Sequence, residues 1–139
     1  MARKDIYHDT VKKALDRDEW TITDDPFTVR VGRKRLAMDL GAERLISAEK
    51  GSRKIVVEIK SFVGRSDVKD LQQALGQYIL YQEVLAEQKI ERELYLAVPN
   101  RAYHSVFQNE LGQILLRHRS LRLLVFDEDQ EVIVEWIPA

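Results

Sequence analysis

The chain contains no cysteine. That excludes disulfides, thiolate metal sites and cysteine nucleophiles, and it is compatible with a cytoplasmic location, which is the expectation here. Long hydrophobic runs are missing as well. No stretch approaches the roughly 18 uninterrupted apolar residues that a membrane-spanning helix needs. The opening MARKDIYHDT has basic residues with no apolar segment behind them, so it does not read as a secretory signal. The six glycines form no phosphate-cradling or dinucleotide fingerprint. No serine stands in a His or Lys constellation suited to nucleophilic catalysis. Excess charge is absent: 22 Lys and Arg against 23 Asp and Glu leave a net charge of −1. That balance counts against a protein that coats nucleic acid by bulk electrostatics.

What is present suits one compact domain spanning residues 1–139. The charges are unevenly spread. RVGRKR (30–35), KGSRK (50–54) and RHRSLR (117–122) are basic, and DEDQEVIVE (127–135) is acidic. Each such cluster reads most simply as a solvated turn. Tyr7, Val11, Ala14 and Leu15 recur at helical spacing and predict a helix over 4–18. Two short extended pieces flank an Asp-Pro turn at Pro26. A strand over about 35–48, interrupted or bulged near Gly41, pairs through an EKGS turn with a returning strand over about 53–60. A long helix over 67–88 follows, capped by Ser66 or Asp67. ELYLAVP (93–99) has no polar residue between Leu94 and Val98, as expected of a parallel crossover strand buried on both faces. A helix over 101–118 and two strands joined by a short acidic turn complete the chain. The expected fold class is α/β (α+β), with a mixed sheet flanked by helices.

The strand VVEIKSF (56–62) holds the informative residues. Side chains alternate along a strand, so Ile55, Val57 and Ile59 share one face, while Val56, Glu58 and Lys60 share the other. Two charges about 7 Å apart on one face are ordinary if that face is solvated. Asp39, in the otherwise apolar RLAMDLG, alters the balance. The predicted hairpin brings it beside Glu58 at a sheet edge. Converging carboxylates repel unless a cation lies between them, and carboxylate and carbonyl oxygens are ligands of Mg²⁺ and Mn²⁺. A neighbouring lysine can stabilise charge developing on a phosphate. Together these residue types form a site for phosphodiester hydrolysis.

Asp39, an intervening hairpin, then Glu58-Ile59-Lys60 resembles the PD-(D/E)xK pattern of restriction-endonuclease-like nucleases. Their αβββαβ core matches the elements from residue 4 to about 98, leaving a C-terminal helix and two further strands. The resemblance implies that Asp39, Glu58 and the Ile59 carbonyl bind Mg²⁺ or Mn²⁺ and that Lys60 is the catalytic lysine. Met38 replaces the usual proline. In the first helix, where many such nucleases carry an acid, His8 faces the site best, with Asp9 and Glu19 placed worse. Gln73, Gln77 and Tyr81, spaced i, i+4, i+8, form a polar helical stripe. Gln77 and Tyr81 resemble the Q-x-x-x-Y element that contacts nucleic acid in some of these enzymes. Gln73, Gln77, Tyr81 and His8 are therefore the candidate nucleic-acid contacts, and the basic hairpin edges are expected to meet phosphates.

YHDTVKKALDRDEWTITDDPFTVRVGRKRLAMDLGAERLISAEK, KIVVEIKSFVG and DLQQALGQYILYQ, and the chain on to VEWIP (134–138), are similar to the cyanobacterial XisH family. This resemblance implies an fdxN-element excision controlling factor, acting in programmed DNA excision during heterocyst differentiation while a separate recombinase does the excision. DNA and a small XisI-type protein are the implied partners, and a homodimer is compatible with it. Either the site cleaves DNA, or the chain is a non-catalytic regulator built on a nuclease scaffold. His104 and His118 read as surface residues, Asp24 and Asp25 as turn formers, and Trp20 and Trp136 as core.

Overall fold

The computed structural model describes residues 5–47, 51–118 and 120–139. Helix α1 (His8–Arg17) buries His8, Val11, Ala14 and Leu15 along one stripe, as the spacing predicts. Strand β1 (Thr21–Asp24) follows, then β2 (Phe27–Val31), β3 (Lys34–Met38), β4 (Leu40–Ser47) and β5 (Gly51–Ile59). Helix α2 (Asp67–Glu87) leads to β6 (Glu93–Pro99). The short α3 (Asn100–Ala102), a π-helical turn (Tyr103–Phe107) and α4 (Glu110–Arg117) precede β7 (Leu123–Asp127) and β8 (Val132–Ile137).

The main sheet has six strands in the order β1-β4-β5-β6-β7-β8, and β2 and β3 form a separate two-stranded ribbon. Strands β5, β6 and β7 run parallel, and the flanking pairs are antiparallel. ELYLAVP is the buried parallel crossover strand its composition predicts. The α2 N-terminus is capped as expected, with Ser66 Oγ accepting from the Lys69 N–H at 3.2 Å, an interaction worth about 1 kcal/mol.

Three expectations need correction. The interruption expected near Gly41 falls at Asp39 and comes with a change of partner: β3 pairs with β2, whereas β4 pairs with β1 and β5. Residues 48–50 of the expected turn lie outside the described residues, although Ser47 and Gly51 are partners across it. The helix over 101–118 breaks at Gln108–Asn109, where Asn109 takes an extended conformation (ψ 166°). Gly112 lets the second half fold back: a Cβ there would lie 2.4 Å from Phe107 Cα. Finally, β5 is central in the sheet, so the carboxylates meet at the end of an interior strand and not at a sheet edge.

Both sheet faces are core. Ile55, Val57 and Ile59 pack with Val11 and Leu15 of α1, with Trp20, and with Tyr95 and Phe126. Val56 packs on the opposite side with Leu71, Ala74, Tyr78 and Tyr81 of α2. Glu58 lies on this second face, one rung beyond Val56, and only 6% of it is exposed. A solvated surface therefore does not account for its charge.

Candidate active site

Asp39 is the single residue linking β3 to β4, and Leu40 after it pairs with Val57. That register sets Asp39 beside Glu58 and Ile59. The Asp39 N–H donates to Glu58 Oε1 at 3.0 Å, and the Ile59 N–H donates to Asp39 Oδ2 at 2.7 Å. These two reciprocal backbone bonds hold the carboxyl groups side by side. Burial, followed by the charge of Asp39, pushes Glu58 up to about 9. Burial also raises Asp39, with partial relief from the Ile59 amide. Without a cation this end of the sheet holds a proton that free carboxylates would have lost at neutral pH.

Lys60 lies one residue past β5, and its N–H extends the parallel pairing by donating to the Ala97 carbonyl at 3.0 Å. Alternation directs its side chain toward α2. There Nζ donates to Gln73 Oε1 at 3.2 Å and sits 3.8 Å from Asp70 Oδ1. Asp70 in turn accepts the Gly64 N–H at 2.9 Å. Gly64 permits this approach, since a Cβ there would stand 2.7 Å from the Asp70 carboxylate. The first turns of α2 therefore fix where the lysine charge sits.

Gln77 Nε2 donates to the Tyr81 hydroxyl at 3.0 Å. Gln73 and Gln77 are exposed, but Tyr81 is buried at 7% exposure within the core under α2, which corrects its place on a polar surface stripe. Its phenol is raised by burial and then by the charge of Glu58. His8 is buried too. Its Nε2 lies 2.7 Å from Asp25 Oδ1, Lys12 Nζ holds Asp25 Oδ2 at 2.7 Å, and His8 Nδ1 is buried without a partner. Asp25 is thus more than a turn former. Asp9 and Glu19 are exposed, and Glu19 lies 3.7 Å from Arg44.

Two acids near the site escape a reading of the sequence. Asp70 is one. The other is Asp5, whose Oδ1 accepts from the Tyr7 N–H at 2.9 Å and whose Oδ2 accepts from the Ser61 N–H at 3.0 Å. It ties the start of α1 to the segment after β5, and its charge raises both Asp39 and Glu58. Its position two residues before the Tyr7 N–H it caps is a local signal, but its contact with Ser61 spans 56 residues and has none.

Among the described residues no group of three or more His, Cys, Asp or Glu side chains is arranged to hold a metal ion. The available donors are two carboxylates and a carbonyl. Ile59 directs its N–H at Asp39, and a strand residue's carbonyl leaves on the same side as its N–H. Oxygen donors in a buried, mutually repelling pair fit a hard divalent cation that keeps several waters.

The chain matches the family model "XisH protein" over residues 1–134. A crystal structure of an XisH family protein from Nostoc punctiforme superposes with a TM-score of 0.83 at 40% identity, covering 95% of this chain and 98% of the other. A crystal structure of an fdxN element excision controlling factor protein from Anabaena variabilis gives 0.84 at 41% identity, covering 96% and 99%. Among curated proteins none matches the chain. With a family match over nearly its whole length and two such similar structures, the chain belongs to the XisH family.

Proposed function

We propose that this chain controls the programmed excision of a DNA element and that Asp39, Glu58 and Lys60 form a divalent-cation-dependent centre for phosphodiester cleavage. The role in excision rests on family membership and on the Anabaena variabilis relative. The chemistry rests on one observation: two carboxyl groups locked together by reciprocal backbone bonds at the end of an interior strand, with Lys60 two residues beyond Glu58 and burial pushing both toward protonation.

Asp39, Glu58 and the Ile59 carbonyl would hold Mg²⁺ or Mn²⁺. Such an ion, when bound, lowers the pKa of a coordinated water and offsets charge on a phosphoryl oxygen. The protein's own groups do the rest. Gln73 and Asp70 orient Lys60, whose ammonium neutralises charge developing on the phosphate. Gln77 positions the Tyr81 hydroxyl, and Gln73 and Gln77 offer amides to the nucleic-acid backbone.

The test is cleavage of plasmid and branched DNA in Mg²⁺ and in Mn²⁺, alone and with a co-expressed XisI-type partner. Metal-dependent cleavage that disappears in Asp39→Ala/Glu58→Ala supports the proposal. A variant that still cleaves at the wild-type rate sinks it.

A second reading is favoured by the closed state of the site, in which each carboxyl group already accepts a backbone N–H and Lys60 is paired with Gln73 and Asp70. On that reading the chain is a non-catalytic regulator on a nuclease scaffold. It would act through DNA, a XisI-type protein or a second copy of itself. No cleavage under any condition, with DNA or partner binding preserved, selects it.

A further inference from the structure

The β2–β3 ribbon joins the main sheet at Asp39. Residues 26–38, which contain it, hold Arg30, Arg33, Lys34 and Arg35 and no carboxylate. All four cations are exposed, and among the described residues none pairs with an acid. The register is Phe27↔Met38, Thr28↔Ala37, Val29↔Leu36, Arg30↔Arg35, Val31↔Lys34.

Alternation assigns the two faces. Phe27, Val29, Leu36 and Met38 join the core under α2 and fix the ribbon to the body. Gln88 Nε2 adds a hydrogen bond to the Arg30 carbonyl. The outer face therefore presents Arg30 directly opposite Arg35, with the short, exposed Thr28 and Ala37 on the next outward rung. Like charges directly opposite in an antiparallel pair oppose folding. Here no acid offsets them, although the chain as a whole carries more acids than bases. Arginine is also the side chain whose planar fork matches a phosphate in a bidentate contact.

We infer that the outer face of this ribbon, centred on the Arg30–Arg35 rung, docks the phosphate backbone of duplex DNA and leads it toward Asp39. This deepens the proposed function and rests on its assignment of DNA as the ligand. The small floor at Thr28 and Ala37 lets the backbone approach closely between the arginine rung and the carboxylates. Docking of this kind is independent of base sequence and of any metal. An acidic protein segment is the competing occupant. A duplex is favoured because an arginine rung on a rigid strand pair presents charge at a fixed spacing, and the ribbon ends at a site suited to phosphodiesters.

The experiment is fluorescence anisotropy of a labelled duplex with the full chain in EDTA, titrated across salt concentrations. It compares wild type with Arg30→Gln/Arg35→Gln and Arg30→Lys/Arg35→Lys. A second pair of exposed charges, on α1 and α4, is removed in the control Lys13→Gln/Arg117→Gln. Losing two phosphate contacts lowers the slope of log affinity against log salt by about 1.8. The expected result is that drop in the glutamine variant, with at least a tenfold loss of affinity near 0.1 M salt. The lysine variant should recover most of the slope, and the control should bind as wild type. Unchanged slope and affinity in Arg30→Gln/Arg35→Gln would overturn the inference while leaving the cleavage proposal standing. If instead that variant lost only its binding to a polyglutamate peptide, the ribbon would serve an acidic protein. A wild-type chain that binds no duplex would overturn both.

Discussion

Strand β5 has a charged cluster at each end, and the two are built on opposite principles. Near its start, Arg53 lies 3.2 Å from a Glu93 carboxylate oxygen, donates to the Tyr95 hydroxyl, and stacks within 5.9 Å of the Trp20, Tyr95 and Trp136 rings. Its charge is answered by a carboxylate and three π faces, and water still reaches it. Near the other end, Glu58 and Asp39 have the same sign and lie in each other's field, with Glu58 buried and Asp39 half-buried. The first arrangement stabilises the sheet. The second opposes folding whenever both groups ionise, and such frustration is characteristic of sites that bind or react.

That contrast can be broken at either end. The largest expected effect is on turnover. Asp39→Ala/Glu58→Ala should lower metal-dependent cleavage at least about a thousandfold, measured on plasmid DNA, because removing both carboxylates removes the ion that activates water and offsets charge. Lys60→Ala should cost about a hundredfold in kcat with DNA affinity nearly unchanged, as expected when a group stabilises only developing charge.

The next effect is on stability. Glu58 has a folded-state pKa near 9 against an ordinary value of 4.5, so the folded state holds the extra proton between those pH values. Its contribution to stability is fully present below pH 4.5 and is lost as pH rises toward 9. The metal-free protein should therefore melt at progressively lower temperature from pH 5 to pH 9, and added Mn²⁺ should flatten that slope. Glu58→Gln cannot ionise and still accepts the Asp39 N–H. In metal-free buffer at pH 8 it should raise Tm by about 4 °C, the shift that 1 kcal/mol produces in a chain of this size. A Tm that is independent of pH would count against the strained pair.

The smallest effect belongs to the satisfied end. Arg53→Ala should lower stability by only about 1 kcal/mol, because the ion pair is largely exposed and screened and the ring contacts contribute modestly. Cleavage should be unchanged. A large loss of cleavage there would blur the distinction between the two ends.

Much of this was legible before any coordinates. Alternation in VVEIKSF placed Glu58 and Lys60 on one face, and the hairpin pattern placed Asp39 beside Glu58. Both are found, because register follows from local turn and strand signals. An interruption near Gly41 is legible, but the partner change is not, because tertiary packing sends β3 to β2 and β4 to β1 and β5. Tyr81 was misplaced because a tyrosine at a stripe boundary turns its ring into the core while its hydroxyl stays polar. Asp5 and Asp70 were missed because their contacts, with Ser61 and with Lys60 and Gly64, form only when the segment after β5 folds back against both helices.

The most direct test of the carboxylate pair is calorimetric titration of metal-free protein with Mn²⁺ at pH 6 and pH 8, beside Asp39→Asn/Glu58→Gln. Because the ion displaces the proton that burial holds on Glu58, binding in the wild type should release protons and tighten from pH 6 to pH 8, and the variant should not bind. Absence of binding by the wild type, or equal binding by the variant, would contradict a cation site at Asp39 and Glu58.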